Sequence, residues 1–527
     1  MERTNRYMAL YRISKSAHSF LHFKLKNLFL LLAINILLAG CSDWLDINKN
    51  PNVPGQVSYD DVLPSGISAV AYVMGGRYQV LGALWSQHWT QSPGASQYQG
   101  LDSYNINSST FDDNQFGGLY SEALQNLEYV RQESLKENQW NYYLVATVTQ
   151  AYTFQLLADL YDQVPFSEAL KGDLGITEPK YESGRDIYDS LVARIDFALQ
   201  QDFDDDNLKK IGNRGLIDGS DNIDLWKAFA NTLKLKLFLR QTEARPEFAE
   251  TEIRKLYASK TEFLKSDIRL NIFFNESGRR NPLYETEVNF FGNNPNLVLS
   301  YTLYSYLVEN GDFDRLDYMF SQPENGGAHK SLAQGNYYAP GEPAGTNSSS
   351  YSKPVIQPAA PVYLMSFSEA CFLQAEAIMR YQVDSYDAAR EMYNEGVKAC
   401  YKRIMGLSNV DVFANPLLAG KYAFPSEGSS FNDFLTSIIT QKWVALSGIQ
   451  SLETFFEHNR THIPKESTVT ANDNNYVPGE FTVSANNVTS NKFPRRLVFP
   501  ASEYAANRYT PEKQDVWVKV WWDTKAE

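Results

Sequence analysis

The chain has 527 residues, of which 43% are hydrophobic, so it can bury a large core. Acidic side chains outnumber basic ones by 62 to 48, and the formal net charge is −14. A surface of that sign repels nucleic acid and gains nothing from anionic lipid headgroups, which excludes both kinds of electrostatic partner.

An apolar run lies near the N-terminus at 28–39, with the sequence "LFLLLAINILLA". Its 12 residues are too few for a membrane-spanning helix, which needs about 20. Six basic side chains and one acidic side chain precede the run, a pattern typical of a secretory signal. We therefore predict that residues 1–40 are removed, which takes the net charge from −14 to −19.

Cys41 follows Leu38-Ala39-Gly40, and these four residues resemble a bacterial lipobox, in which the cysteine is acylated. Acyl chains bury many methylene groups in a bilayer, so several of them on one cysteine hold a soluble domain at a membrane. We expect fatty acid such as palmitate on Cys41. The alternative is an ordinary signal peptide with an incidental cysteine, and translation starts at either Met1 or Met8.

Helical periodicity dominates the rest of the chain. Apolar residues recur at helical spacing near 60–88, 118–137, 140–162, 183–202, 221–241, 246–264, 299–309, 361–381, 386–404 and 431–447. Short connections between such stretches predict antiparallel helix pairs. Strand-like alternation is local, at 267–274 and 516–522.

No strict sequence period repeats, yet helix pairs recur along the whole chain, as in a loose helical-repeat architecture. Two long segments, 322–360 and 464–492, are predicted to be irregular. Loops of that length are usually functional or disordered. Helical blocks of the same style lie on both sides of each loop, so we predict a single domain over 41–527.

Cysteine is scarce, with three residues in the chain. Cys371 and Cys400 fall on neighbouring predicted helices, which leaves a disulfide open in an oxidising envelope. Buried free thiols are the favoured interpretation.

The segment Tyr78–Ile106 is the strongest candidate for a binding surface. Sugars present flat C–H faces ringed by hydroxyl groups, so a sugar site needs aromatic plates edged by polar side chains. The candidate ligand-binding residues in this segment are Trp85, Trp89, Gln97, Tyr98, Asp102, Tyr104 and Asn105, with Tyr337, Tyr338 and Tyr351 in the long loop as further candidates. We favour a core position for the two tryptophans and a surface position for Tyr98 and Tyr104.

Catalytic motifs are absent from the sequence: it has no nucleophile elbow, no His-Glu-x-x-His and no phosphate loop. Glu369 and Glu376 lie seven apart on one predicted helix, whereas the two carboxylates of a glycosidase must flank the scissile bond across a cleft. His458 and His462 have a metal-compatible spacing, but a histidine at a helix C-terminus is favoured by the dipole alone. We predict no enzyme activity and no cofactor.

Asp202, Asp204 and Asp206 alternate as in the first half of a calcium-binding EF-hand loop. Asn207 and Asn213 replace the glycine and the glutamate that such a loop requires at its sixth and twelfth positions. A solvated acidic helix end is the favoured interpretation, with calcium as the weaker one.

Six stretches, in order along the chain, resemble motifs of the SusD/RagB family of outer-membrane nutrient-binding lipoproteins, and in particular of its SusD-like branch. They are "DINKNPNVP" at 46–54, "ADLYDQVPFSEAL" at 158–170, "LWKAFANTLKLKLFLR" at 225–240, "MSFSEACFLQAEAIMR" at 365–380, "IITQKWVALSGIQSLETFFEHNRTHIP" at 438–464 and "PRRLVFPASEYAANR" at 494–508. The chain departs from the family pattern at Asp162-Gln163, Asn459, His462 and Phe499.

The resemblance implies a mostly α fold of tetratricopeptide-like helix pairs with long irregular loops and a few short strands. It also implies a non-catalytic lipoprotein on the cell surface that binds oligosaccharide and delivers it to a SusC-like TonB-dependent outer-membrane transporter. The alternatives are peptide capture, glycoside hydrolysis and a ligand-free lid on the transporter. The tyrosines of the long loop are then either ligand contacts or transporter contacts.

The polar signature residues of these motifs lie on densely apolar helices. A polar group is tolerated in such a place only when it is hydrogen-bonded. We therefore predict structural roles for Asp159, Trp226, Glu369 and Glu376.

Overall fold

Helices supply most of the regular structure of this chain, as the periodicity predicts. The computed structural model describes residues 57–292, 296–338 and 348–526. The predicted signal peptide and Cys41 lie outside the described residues. Among the described helices, none combines the length and the apolarity that crossing a membrane requires.

The α-helices of the described residues are α1 (Tyr59–Gly75), α2 (Arg77–Trp85), α3 (Gln99–Asp102), α4 (Gln125–Lys136), α5 (Trp140–Tyr161), α6 (Gly184–Leu199), α7 (Ile223–Arg240), α8 (Pro246–Ala258), α9 (Pro282–Tyr284), α10 (Tyr301–Glu309), α11 (Phe313–Met319), α12 (Phe367–Tyr381), α13 (Tyr386–Met405), α14 (Asp411–Leu418), α15 (Phe431–Ala445), α16 (Ser451–Thr461) and α17 (Ala501–Ala506). Wider π-helical turns cover Asp112–Gly117, Leu119–Leu124 and Glu285–Phe290. Single 3-10 turns cover Gly172–Leu174, Gly212–Gly215 and Ser348–Ser350.

The strands are short and pair two by two. They are β1 (Trp89–Gln91), β2 (Gln163–Pro165), β3 (Tyr181–Ser183), β4 (Ile268–Leu270), β5 (Leu297–Leu299), β6 (Phe320–Ser321), β7 (Lys353–Pro354) and β8 (Val362–Met365). Within the described ranges the four strand pairings are antiparallel: β1 with β5, β2 with β3, β4 with β8 and β6 with β7.

One of the two strand predictions is confirmed and the other is wrong. The 267–274 stretch contains β4, but 516–522 forms turns. The Val516 carbonyl accepts hydrogen bonds from the Arg495 and Arg496 amides, and Trp522 is buried in the main core. The alternation of apolar and polar residues in 516–522 therefore arises from packing against the core. The segment does not pair with a strand among the described residues.

Side-chain caps fix where the longer helices begin. Ser183, Asn222, Ser366 and Ser385 each accept a hydrogen bond from a backbone amide of the first turn of their helix. Ser430 and Asp433 form a reciprocal capping box at the start of α15. Such caps satisfy amide groups that have no partner inside the helix, and each typically contributes about 1 kcal/mol.

The predicted helix 60–88 is divided in two at Gly76. Its backbone angles, φ −106° and ψ −115°, are far from helical values and are open mainly to glycine. The division turns the chain so that α1 and α2 can pack on different neighbours. Gly82 of α2 lies directly against the backbone of α16 at Leu452, where any Cβ would collide.

The pairing of α12 with α13 is the clearest tetratricopeptide-like helix pair. Gly396 of α13 faces the Phe372 ring of α12, and a Cβ at this glycine would lie 2.8 Å from the ring. Cys371 and Cys400 are buried on this pair as free thiols, so the favoured interpretation is confirmed. Burial raises the pKa of Cys371 well above its ordinary value, which makes it an unreactive thiol.

Charged side chains form a network in the centre of the fold, which we call the ion network. Its members are Asp159, Lys236, Arg240, Glu369, Glu376, Lys442, Glu453, Glu457 and Arg460, and all of them are buried. They come from five helices, α5, α7, α12, α15 and α16. A buried charge is tolerated only when it is paired and hydrogen-bonded, so these helices are constrained relative to one another.

Arg240 is the centre of this network. Its Nη2 lies 2.6 Å from Glu453 Oε2, and its Nη1 lies 2.7 Å from Glu457 Oε1. Lys236, one turn earlier, has its Nζ 3.0 Å from Glu453 Oε1 and 3.3 Å from Glu369 Oε1. Helix α7 is thereby joined to both α12 and α16.

Arg460 joins α16 to α12 through a two-pronged pair with Glu376, at 2.8 Å and 2.7 Å, and it also contacts Glu457. Burial alone would raise the pKa of Glu376, but Arg460 and Arg380 hold the pKa below its ordinary value. The predicted structural roles of Glu369 and Glu376 fit these contacts. Asp159 fits as well, since it accepts hydrogen bonds from Tyr188 and Trp522 at 2.5 Å and 2.7 Å.

The irregular segment 464–492 is packed against the ends of α15 and α16. Phe481 is fully buried and lies 4.3 Å from the His458 ring and 5.8 Å from the Trp443 ring, measured between centroids. The Gln87 amide donates to the Thr482 carbonyl at 2.7 Å. This long loop therefore packs into the core and is not a disordered linker.

We expect the substitution Glu376→Gln to destabilise the protein by about 3–5 kcal/mol, because it removes one partner of a fully buried ion pair. Urea unfolding followed by tryptophan fluorescence measures the change. Glu250→Gln is the matched control, since Glu250 pairs with Arg254 on an exposed face of α8, and the loss there should be below about 0.5 kcal/mol. Equal losses in the two variants would contradict the central role of the ion network.

We also expect His458 to make folding stability depend on pH. Burial lowers the pKa of His458 to about 3, whereas an unfolded histidine titrates near 6.5. Below about pH 6.5 the unfolded chain therefore binds a proton that the folded chain does not, and stability is lost as pH falls toward 3. His458→Phe keeps a ring beside Phe481 and should gain about 1.4 kcal/mol relative to the wild type between about pH 7.5 and 5.5. Parallel pH profiles of the two proteins in urea unfolding would rule out this contribution.

Candidate functional site

Trp85 and Trp89 lie in the core, as the favoured interpretation predicts. Trp85 is 3% exposed, its indole N–H donates to the Leu101 carbonyl at 3.0 Å, and its ring lies 5.0 Å from that of Phe455. Trp89 belongs to β1, where it pairs with Leu299. Both side chains belong to the main core, and Trp89 is 2% exposed.

The expected surface position of Tyr98 and Tyr104 is wrong. The two side chains are 3% and 2% exposed. The Tyr98 hydroxyl donates to the Glu287 carboxylate, and the Tyr104 hydroxyl accepts from the Ser484 amide at 3.2 Å. Both tyrosines are buried because distant segments, around 287 and around 484, supply partners for their hydroxyl groups.

The three residues expected to form a polar edge, Gln97, Asp102 and Asn105, differ in their exposure to solvent. Asp102 is fully buried and accepts hydrogen bonds from Thr90 Oγ1 and the Gln91 amide, both at 2.8 Å. Burial raises its pKa to about 6. Its prediction as part of an open sugar site is wrong, because its oxygens hold the loop to β1. Gln97 and Asn105 are exposed.

The three loop tyrosines differ in the same way. Tyr338 is 68% exposed, and its hydroxyl donates to Gln99 Oε1 at 3.0 Å. Tyr337 packs against it with ring centroids 4.7 Å apart and is itself buried. Tyr351 is buried beside Val298. Among these three candidates, Tyr338 is the one that presents its ring to solvent.

Three cavities surround the segment Pro282–Phe290. Cavity A has a volume of about 230 Å³, cavity B about 160 Å³ and cavity C about 310 Å³. Cavities A and B share Leu283, whereas A and C share Pro354 and Ile356. The hydrogen-bonded pair Tyr98–Glu287 separates B from C, since Tyr98 lines B and Glu287 lines C. We call these three neighbouring cavities together the groove.

The walls of cavity B have the chemistry that suits a sugar. Tyr72 projects from α1 with 62% of its side chain exposed. Gln97, Gln115 and Arg77 line the same cavity with donor and acceptor groups. An aromatic plate edged by amides and a guanidinium can stack on a sugar face and bind its hydroxyl groups. Of the residues predicted from the sequence, Gln97 and Tyr98 line this cavity.

Glu287 is the titratable group at the centre of the groove. It is buried, and this burial raises its pKa to about 7, although the hydrogen bonds from Tyr98 and Asn296 favour its charged form. Because the carboxyl is engaged by Tyr98, it fixes the partition between cavities B and C.

The sequence interpretation missed Tyr72, Arg77 and Glu287, which line the groove. Tyr72 was a detectable signal, because it is an aromatic residue with a polar hydroxyl group in the largely apolar stretch that ends at Gly75-Gly76. No local signal places these residues beside Gln97, since the groove assembles segments far apart in the chain.

The carboxylates and histidines considered for catalysis or metal binding do not line the groove. Glu369 and Glu376 belong to the buried ion network. His458 is buried against Phe481. Across the described ranges, no group of three or more histidine, cysteine, aspartate or glutamate side chains is arranged to hold a metal ion.

The weak calcium candidate has a structural use. Asp202 accepts a hydrogen bond from the Asp204 amide at 3.0 Å, which closes a turn after α6. Asp202, Asp204 and Asp206 follow the end of α6, which ends at Leu199.

Comparison with known proteins identifies the family to which the chain belongs. A SusD-like family model, described as starch-binding and associating with the outer membrane, matches residues 52–482. No curated protein sequence shows significant similarity to the chain.

Solved structures share the fold. A SusD homologue from Bacteroides uniformis is 21% identical with a TM-score of 0.70, covering 88% of this chain and 99% of its own. A chitin-binding SusD homologue from Flavobacterium johnsoniae is 19% identical with a TM-score of 0.65, covering 89% and 97%. A further chitin-binding protein is 21% identical with a TM-score of 0.67, covering 89% and 100%. The protein described here belongs to the SusD/RagB family, in its SusD-like branch.

Proposed function

We propose that this protein is a non-catalytic, cell-surface lipoprotein that binds oligosaccharide in the groove and delivers it to a TonB-dependent outer-membrane transporter. The observation that carries the proposal is cavity B, where exposed Tyr72 stands beside Gln97, Gln115 and Arg77. The family supports it, because its model is described as starch-binding and associating with the outer membrane. Two structural relatives are named as chitin-binding, which supports a glycan over other nutrients.

A carrier that releases its cargo to a transporter needs moderate affinity. The groove is open along Tyr72, Gln97 and Thr286, so a ligand there keeps part of its surface in water and gains less than it would in an enclosed pocket. Peptide capture is the competing function within the family, and it would require a backbone edge or side-chain pockets. Exposed aromatic and amide groups favour sugar.

The first test is calorimetric titration of the lipid-free chain from Ser42 onward, which includes the whole compact unit that begins at Ser58. The probes are chitohexaose, maltoheptaose and a peptide digest. Tyr72→Ala should weaken glycan binding about three- to tenfold, because a stacked ring contributes about 0.5–1.5 kcal/mol.

Tyr509→Ala is the matched control, since Tyr509 is also well exposed and does not line the groove. Binding of peptides without any binding of glycans would replace the proposal with peptide capture. No binding of either class would favour a structural lid.

The second test concerns the anchor. If Cys41 carries the acyl chains, Cys41→Ala should abolish incorporation of labelled palmitate and release the protein from the membrane fraction. Cys371→Ala is the control, because Cys371 is buried inside the fold and should leave labelling unchanged. Palmitate incorporation into the Cys41→Ala protein would contradict the assignment.

A further inference from the structure

Two arginines line the groove. Arg403, near the C-terminal end of α13, lines cavity A, and Arg77, the first residue of α2, lines cavity B. Each is the single charged side chain among the described residues that line its cavity. Cavity C differs, because it carries Glu287, Glu324 and Lys353.

Neither arginine forms an ion pair with a carboxylate in the part of the chain that the structure describes. The Nη2 of Arg403 donates to the Ala445 carbonyl at 2.7 Å, and its buried Nε has no hydrogen-bond partner among the described residues. The Arg77 guanidinium lies 5.4 Å from the centre of the Phe111 ring, and its Nε is likewise buried and unbonded within the described ranges. Both guanidinium groups thus have N–H donors without a hydrogen-bond acceptor among the described residues.

The fully buried arginines elsewhere in the described residues are paired with carboxylates. Arg240, Arg315 and Arg460 each have a carboxylate within 2.7 Å. A guanidinium that is partly removed from water without such a partner costs free energy, and an anionic ligand would recover it. The acidic chain supplied 62 carboxylates, yet none lines cavity A or cavity B among the described residues.

The shape of cavity A suits an anionic group on a sugar ring. Its mouth is open at Tyr318, Val355 and Gln357, which are exposed, while Val362 and Trp89 line it as buried apolar surface. The guanidinium is a planar fork that matches the two oxygens of a carboxylate or of a sulfate. Leu283 also lines cavity B, where the second arginine lies.

We propose that the groove selects an acidic glycan, whose anionic oxygen groups pair with Arg403 in cavity A and with Arg77 in cavity B. The inference rests on the proposed function, because it names the class of oligosaccharide that the groove takes. The anionic group is either the carboxylate of a uronic acid or a sulfate ester, and both offer the same oxygen acceptors.

The experiment compares three hexasaccharides by calorimetry on the lipid-free chain from Ser42 onward. Hexagalacturonate carries carboxylates, a κ-carrageenan hexamer carries sulfates, and chitohexaose is neutral. At least one acidic hexamer should bind about tenfold more tightly than chitohexaose, since one hydrogen-bonded charge pair contributes on this scale. The net charge of −19 that remains without residues 1–40 gives no general attraction for acidic sugars, so such a preference reports on the groove.

Variants of the two arginines test whether they are the groups that bind the anionic sugar. Arg403→Gln and Arg77→Gln should each weaken the acidic hexamer about tenfold and weaken chitohexaose by a smaller factor, because glutamine keeps a donor for a sugar hydroxyl but loses the charge. Arg185→Gln removes the same charge from an exposed position on α6 and should have no effect. Because Arg403 also bonds the Ala445 carbonyl, the thermal midpoint of each variant is measured, and Arg77→Gln is decisive if Arg403→Gln fails to fold.

The outcomes separate the two proposals. Equal binding of neutral and acidic hexamers, or an equal loss of acidic binding in Arg185→Gln, overturns the acidic-glycan inference and leaves oligosaccharide binding intact. Absence of binding for all three hexamers overturns the proposed function and this inference together. The preference of the two acidic hexamers relative to each other identifies carboxylate or sulfate as the source.

Discussion

The ion network is the constraint on which the rest of the structure depends. Five carboxylates and four cations from five helices are withdrawn from water together, and each is tolerated only because the others are in place. Hydrophobic burial holds helices together with little directional preference, whereas two-pronged pairs such as Arg460–Glu376 fix their relative position. The network therefore sets the register of α7 and α12 against α16.

This constraint reaches the groove through a few hydrogen bonds. Gln450 donates to Glu369 at 2.6 Å, and Ser451 directly after it accepts from Gln79 of α2 at 3.0 Å. Gln79 lines cavity A together with Ile449. One wall of the groove is thus attached to the ion network, while the other walls come from the segment Pro282–Phe290 and from the loop before β8. The ion network and the helices that it joins therefore support one wall of the groove.

That arrangement explains why the family motifs identify the fold and leave the ligand open. Asp159, Arg240, Glu376 and Arg460 each fall in a different motif, and each belongs to the ion network. The motifs therefore contain residues that hold the fold together. Tyr72 and Arg403 lie outside every motif stretch, so the chemistry of recognition has to be taken from the assembled groove.

By itself, the sequence determined the helical fold, most helix positions, the core location of Trp85 and the structural use of Asp159 and Glu369. These follow from local periodicity, from caps and from the rule that a polar group on an apolar helix must be paired. The tertiary structure alone decided that Tyr98 is buried, because its partner Glu287 lies 189 residues away in the chain.

It also decided where the groove lies, since cavity A combines segments from Gly75 to Ile449. The sequence around a loop residue has no periodic pattern from which its burial can be predicted. A cavity, in turn, depends on how several distant segments pack around it. Neither can be determined before the chain has folded.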